Sequence, residues 1–167
     1  MASTVPYREL ANAAAIIADT VYATMVTVDK HGPPRTRVLI VVWELQHETP
    51  TGWLATHKTP VKTAHLAHNR HVSTSYWSPT QNVFTIDSAA QWDSGDDVAE
   101  KVWNLHRSGS PPGNGYNPEH YWTGPDDPSF QVLRLTPWRM QVLTQRELAR
   151  GLPYRQARFQ LPSAQTA

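Results

Sequence analysis

Cysteine is absent from all 167 positions. Its absence excludes disulfides, thiolate metal sites and a thiol nucleophile, and it fits a reducing compartment, with the cytoplasm as the default. Charge of one sign is lacking too: fifteen Lys and Arg oppose fourteen Asp and Glu, for a formal net charge of +1. No strong field advertises a nucleic acid or a membrane, and a small-molecule ligand is the better fit. No apolar run approaches the roughly 20 residues that span a bilayer. Met1 to Leu10 hold neither the basic region nor the apolar stretch of a signal peptide. A soluble protein is expected. There is no internal repeat and no low-complexity tract. The length suits one domain, residues 1–167, with a core over about 7–145 and a tail from 153.

What the chain does hold is β-prone sequence, fourteen prolines and seven tryptophans. Leu10, Ala14, Ile17 and Ala18 recur at helical spacing before Asp19. Residues 21–28 read as a strand, and Asp29-Lys30-His31-Gly32 as the turn into the next. Over 35–44 the pattern becomes continuously apolar through Val38-Leu39-Ile40-Val41-Val42-Trp43, which predicts one central strand buried on both faces. A hairpin over 48–52 returns the chain as strand 53–56. Thr59-Pro60 then opens a helix, with threonine as N-cap and proline in the first turn, that stops near Asn69. Strands over 71–77 and 83–92 complete a five-strand meander. A helix follows Asp93-Ser94-Gly95-Asp96-Asp97 and is expected across a barrel opening. Residues 107–129, rich in proline and glycine, predict a long ordered loop or lid carrying Tyr116, Tyr121 and Trp122. Strands over 130–135 and 138–144 close the series, broken at Pro137. Six or seven antiparallel strands with few helices predict a mainly β fold built as a small barrel.

Residues 35–62 hold the most informative chemistry. Arg35 and Arg37 alternate on one face of a predicted strand, and Thr56, Thr59 and Lys62 follow on a neighbouring strand end and helix start. Two guanidinium groups, two hydroxyls and an ammonium supply charge-assisted donors for a phosphate monoester. Backbone N–H groups at a helix start favour anions as well. The pattern suggests a phosphorylated cofactor. Each residue also has a plainer use: the arginines as a solvated barrel rim, Thr56 as a strand terminus, Thr59 as a helix cap. Eight histidines raise a metal site, above all at His65, His68 and His71, yet no Asp or Glu lies in residues 49–86 to support one. Solvated helix histidines explain the set, and no metal is expected. Asp93, Asp96, Asp97 and Glu100 suit a helix N-terminus without an ion. Trp43, Trp53, Trp77, Trp92 and Trp103 read as core or interface anchors.

Taken in order, Thr24-Met25-Val26-Thr27-Val28, His31-Gly32-Pro33, Arg35-Thr36-Arg37-Val38-Leu39, Trp43-Glu44, the segment from Thr56 to Lys62, and Asn69-Arg70-His71-Val72-Ser73 form a pattern. It resembles the pyridoxamine 5'-phosphate oxidase-like, split β-barrel flavin-binding family over roughly residues 10–92, with a weaker echo over 133–139. The resemblance implies a homodimeric split barrel that holds FMN, or the related deazaflavin coenzyme F-420, between its subunits. Arg35, Arg37, Thr56, Thr59 and Lys62 would clasp the phosphate, and the ring would lie along Val38, Leu39, Ile40 and Val41. Asn82 of the partner subunit would reach the ring, with Trp77 contributing to the wall. The implied activity is oxidoreduction of a small organic substrate by hydride transfer, or else flavin or haem binding without turnover, with His57, His65 or His106 on a haem iron. The chain lacks the lysine near Val41, the arginine where Val61 stands and the C-terminal Arg-x-His of the true pyridoxamine phosphate oxidases. A substrate other than vitamin B6 is therefore implied. No catalytic residue is assigned, because flavin chemistry asks the protein for orientation more than for acid–base groups.

Overall fold

The computed structural model describes residues 7–45, 50–95, 97–109, 117–153 and 155–158. Tyr116, Asp96, the start of the expected hairpin at 48–52 and most of the tail lie outside them. Helix α1 (Tyr7–Thr20) leads into β1 (Ala23–Val28) and β2 (Pro34–Leu39). The turn between these strands forms as expected: Asp29 Oδ1 accepts from His31 N at 2.7 Å, and Gly32 supplies a φ of +99°. There follow β3 (Val42–Glu44), β4 (Thr51–Thr56), α2 (Pro60–His68), β5 (His71–Trp77), β6 (Val83–Asp93), α3 (Val98–Gly109), β7 (Gln131–Leu143), α4 (Gln145–Leu148) and β8 (Arg155–Arg158). One antiparallel sheet takes the order β2-β1-β5-β6-β7-β4-β3, and β8, from the predicted tail, pairs with β7.

The apolar run over 35–44 is not a central strand. It is divided between the two ends of the sheet: β2 forms one edge, β3 the other, and only Ile40 and Val41 connect them. Three peptide steps reach at most about 11 Å. The sheet therefore has to curl until its edges lie side by side, which makes a barrel split along one seam. Ile40 and Val41 are buried at the crossover, whereas Val38 on the edge is 72 % exposed. The expected meander is also rearranged, since β5 returns beside β1 and β7 takes the place between β6 and β4.

Strand alternation fills the interior with two apolar clusters. Tyr76, Phe84, Ile86, Met140 and Val142 pack under Ala13 and Ile16 of α1; Met25, Val41, Leu54, Leu133 and Leu135 pack with Leu66 of α2. β7 serves both clusters because its phase changes midway. Leu133 and Leu135 face inward at odd positions, Met140 and Val142 at even ones. Between them the register slips opposite Asp87 and Ser88, leaving Trp138 without a partner in the ladder. The break expected at Pro137 is thus a β-bulge within one thirteen-residue strand. Proline, with no N–H to offer, sits where the ladder is interrupted. Arg139 secures the bulge through Asp87 at 2.5 Å. Helix α3 does not cross a barrel opening: it packs on the outer face of β4 and β7, where Trp53, Ala55 and Val132 cluster with Val102 and Trp103. Among the described residues, no helix is long and apolar enough to cross a membrane.

The short edge strand β3 is pinned by Trp43. Its indole lies over Gly52, its ladder partner, where an added Cβ would come within 2.7 Å of the ring. Its Nε1 donates to the Tyr76 hydroxyl at 2.8 Å, and burial pushes the pKa of that hydroxyl up, so it stays a neutral acceptor. Gly52→Ala is expected to cost about 1–3 kcal/mol through overpacking, read as a lower urea midpoint. Because the clash is with one side chain, Gly52→Ala combined with Trp43→Leu should lose less than the two single changes summed. Additive losses would contradict the contact.

Candidate functional site

The seam opens into a groove of about 260 Å³. Tyr22, Val38, Leu39 and Ile40 line it from the β1–β2 side, Leu54, Ala55, Thr56 and His57 from the β4 side, and Tyr121 and Trp122 from the loop before β7. Most of this lining is apolar. Cationic side chains collect at its Thr56 end.

Helix α2 starts as its sequence predicts. Thr59 is the N-cap, Pro60 is the first helical residue, and Thr59 Oγ1 accepts from Lys62 N at 3.4 Å. This turn swings Lys62 back over the end of β4, where Nζ donates to Thr56 Oγ1 and, at 3.1 Å, to the His57 carbonyl. Lys62 is consequently only 5 % exposed. On the opposite edge, Arg37 Nη1 donates to Thr27 Oγ1 at 2.7 Å, and Thr27 Oγ1 lies 3.0 Å from His65 Nδ1 on α2. The Thr27 hydroxyl, accepting from Arg37, thus links the guanidinium to the His65 imidazole. Arg35 lies two residues along the same strand, exposed.

These cations feel one another. Burial, and then repulsion from Arg37, holds the Lys62 ammonium well below the usual lysine range, at about 8. Burial and Arg35 lower Arg37 in the same sense. Among the described residues, no carboxylate lies within ion-pair distance of Arg35, Arg37 or Lys62. Their partners are neutral hydroxyls and a carbonyl, which orient the charges without cancelling them. A partly desolvated cluster of like charges is relieved by an anion.

The other expected site residues separate. Val41 is buried among Leu54 and Leu66 in the core and does not line the groove. Asn82 lies at the far end of the barrel, since Thr56 pairs with Gln131 at one end of β7 and Val83 pairs with Leu143 at the other. Its Oδ1 accepts from Gln145 N at 2.8 Å and its Nδ2 donates to Thr80 Oγ1 at 3.0 Å. Trp77, 67 % exposed, donates Nε1 to Gln81 at 3.2 Å. Neither residue lines the groove of its own chain. Among the described residues, no group of three His, Asp or Glu side chains is disposed to hold a metal ion. Thr27 and Tyr22 escaped the sequence reading because nothing local marks them; the register that sets Arg35 opposite Thr27 is the signal, and it exists only once β1 and β2 pair.

A lysine whose folded pKa lies below its unfolded one binds fewer protons folded than unfolded. Between about 8 and 10.5, therefore, stability should rise with pH as the folded protein sheds the Lys62 proton first, while the charged form is the costly one below that window. Denaturation of the ligand-free protein across the window should display this rise, and Lys62→Met should remove that component. A rise of unchanged size in the variant would assign the proton to another group.

No family model matches the sequence, and no curated protein matches it. Solved structures do. A protein related to general stress protein 26 of B. subtilis, of the pyridoxinephosphate oxidase family, from Clostridium acetobutylicum superposes with a TM-score of 0.68 at 13% identity, covering 92% of this chain and 96% of that one. A pyridoxamine 5'-phosphate oxidase-related, FMN-binding protein from Nostoc punctiforme gives 0.58 at 18% identity over 95% and 99% of the two chains. A heme-binding protein from Mycobacterium smegmatis gives 0.64 at 18% identity, covering 92% of this chain and 59% of that one. At such identities the likeness is one of architecture: the chain has the split-barrel fold of the pyridoxamine 5'-phosphate oxidase-like proteins.

Proposed function

We propose that this protein binds FMN in the seam groove and serves as a flavin-dependent oxidoreductase for a small organic substrate. The observation that carries this reading is the convergence of Arg37 from edge strand β2 and Lys62 from the start of α2, with Arg35 along the same strand and, among the described residues, no carboxylate partner. A phosphate monoester supplies the missing charge and enough acceptor oxygens for the Arg fork, the ammonium and the Thr56 hydroxyl. The apolar wall along Val38, Leu39 and Ile40 suits a flat ring. FMN, when bound, supplies hydride and electron transfer. The work of the chain is to hold the tail, orient the ring and keep water from it. Thr59, whose hydroxyl is engaged by the Lys62 backbone, serves the grip by placing Lys62. The deazaflavin coenzyme F-420 is the alternative occupant of the same donors.

The reading includes a homodimer. Val38, Thr24 and Ser75 share one row of the ladder, so alternation brings Tyr22, Val38 and Trp77 to one face. These three large side chains are 50, 72 and 67 % exposed. Two-fold pairing through that face would cover them and would carry Asn82 of the partner subunit toward the groove. A second reading, binding without turnover, is favoured by His57: its imidazole lines the groove beside cations that suit haem carboxylates as well as phosphate. The two readings part in one assay, since only an enzyme should oxidise its reduced cofactor with an added electron acceptor at a useful rate.

Fluorescence quenching should report FMN binding to the purified protein. Replacing Arg37 and Lys62 together by Ala should weaken it by several kcal/mol, because hydrogen bonds to charged groups contribute about 1.5–3 kcal/mol each. Unchanged affinity would remove both assignments. FMN affinity should also fall as pH rises through about 8, where Lys62 loses its proton, and should stay level there in Lys62→Met. Light scattering should give the mass of a dimer; a flavin-loaded monomer would contradict the pairing.

A further inference from the structure

We infer that Tyr121, backed by the His57–Trp122 pair, forms a stacking wall that recognises the flat aromatic ring of the ligand independently of its phosphate. This rests on the flavin reading above and assigns a recognition residue to a loop outside the stretch that carries the family pattern. Its described part, residues 117–129, is tied by hydrogen bonds. Asn117 caps a short 3-10 turn over Pro118–His120, its Oδ1 accepting from Glu119 N at 3.2 Å, and Trp122 N donates to the Pro118 carbonyl at 3.0 Å. Asp127 then ties the next turn. Its carboxylate accepts from Thr123 N and Oγ1 at 3.0 and 3.1 Å and from Ser129 N and Oγ at 2.9 Å each. These bonds, the Thr123 backbone first, hold the Asp127 carboxyl down at about 2, so it is an ionised acceptor at neutral pH.

Trp122 is the buried anchor of this loop. It meets Phe130 edge-on at 5.1 Å, and Phe130 meets Trp103 of α3 at 5.4 Å. On its other side its ring lies 5.0 Å from His57, whose carbonyl is held by Lys62. Tyr121 stands on this base with its ring 5.9 Å from Trp122, lines the groove and remains 57 % exposed. A large aromatic side chain held by these turns, facing a largely apolar groove next to the end where Lys62 sits, is disposed to stack on a planar ring. Because the wall and the Arg37 grip belong to different elements, ring and tail are read separately.

The test compares FMN with riboflavin, the same ring without the phosphate, by fluorescence quenching and calorimetry. Tyr121→Ala is expected to weaken both ligands by the same factor, about tenfold, the scale of one aromatic pair. Tyr121→Phe, which keeps the ring, should restore both, while Arg37→Ala should weaken FMN alone. If Tyr121→Ala leaves both affinities unchanged while the wild type binds FMN, the wall is overturned and the flavin site stands. A loss confined to FMN overturns it as well, since Tyr121 would then serve the tail. A wild type that binds neither ligand overturns the wall and the flavin reading together.

Discussion

The rest of the structure depends on a two-residue crossover. Ile40 and Val41 join strands that lie at opposite ends of one sheet, and so short a connection leaves the sheet no option but to close on itself. Closure by a covalent link differs from closure by a ladder. Where the edges meet without pairing, a groove remains, bounded by β2 on one side and the end of β4 on the other. An open edge is ordinarily a hazard for a β protein, because it invites another strand. Here the edge strand begins with Pro34 and carries Arg35 and Arg37, so the residues that give the groove its cationic end also discourage unplanned pairing.

Charge is handled in two ways within one small barrel. Where it stabilises the fold, acid meets base: Arg139 with Asp87 at the bulge, Lys101 with Glu44 beside Trp53, Arg134 with Asp93. Around the groove, Thr27, Thr56 and the His57 carbonyl take the hydrogen bonds of Arg37 and Lys62 without neutralising them. Burial first, and repulsion from Arg37 second, lower the Lys62 pKa. A carboxylate at any of those positions would have relaxed the cluster by pairing with its charges. The cost is tolerable because the two cations are anchored on separate elements, each with its own packing.

Much of the local structure was legible in the sequence because its causes lie within a few residues. Thr59-Pro60 starts α2 through a cap and a preset φ, and the turn at Asp29 to Gly32 needs only a side-chain acceptor and a glycine at positive φ. The mainly β architecture followed from alternating patterns. The apolar run over 35–44 was misread because burial at a crossover and burial on both faces of a central strand leave the same composition. Pro137 was misread as a break because the bulge that accommodates it is defined by β6, whose inward residues keep one phase while those of β7 change theirs.

By itself, then, the sequence determined which cationic and hydroxyl side chains were present and which turns and caps would place them locally, since those are short-range matters of hydrogen bonding and backbone preference. Only the tertiary structure decided that Arg37 and Lys62 face each other, that Thr27 and His65 stand behind the guanidinium, that Tyr121 overlooks the groove and that Asn82 lies at the other end of the chain's own barrel. Those relations depend on strand order and register. They are set by closure of the whole sheet, a long-range condition that no stretch of neighbouring residues carries.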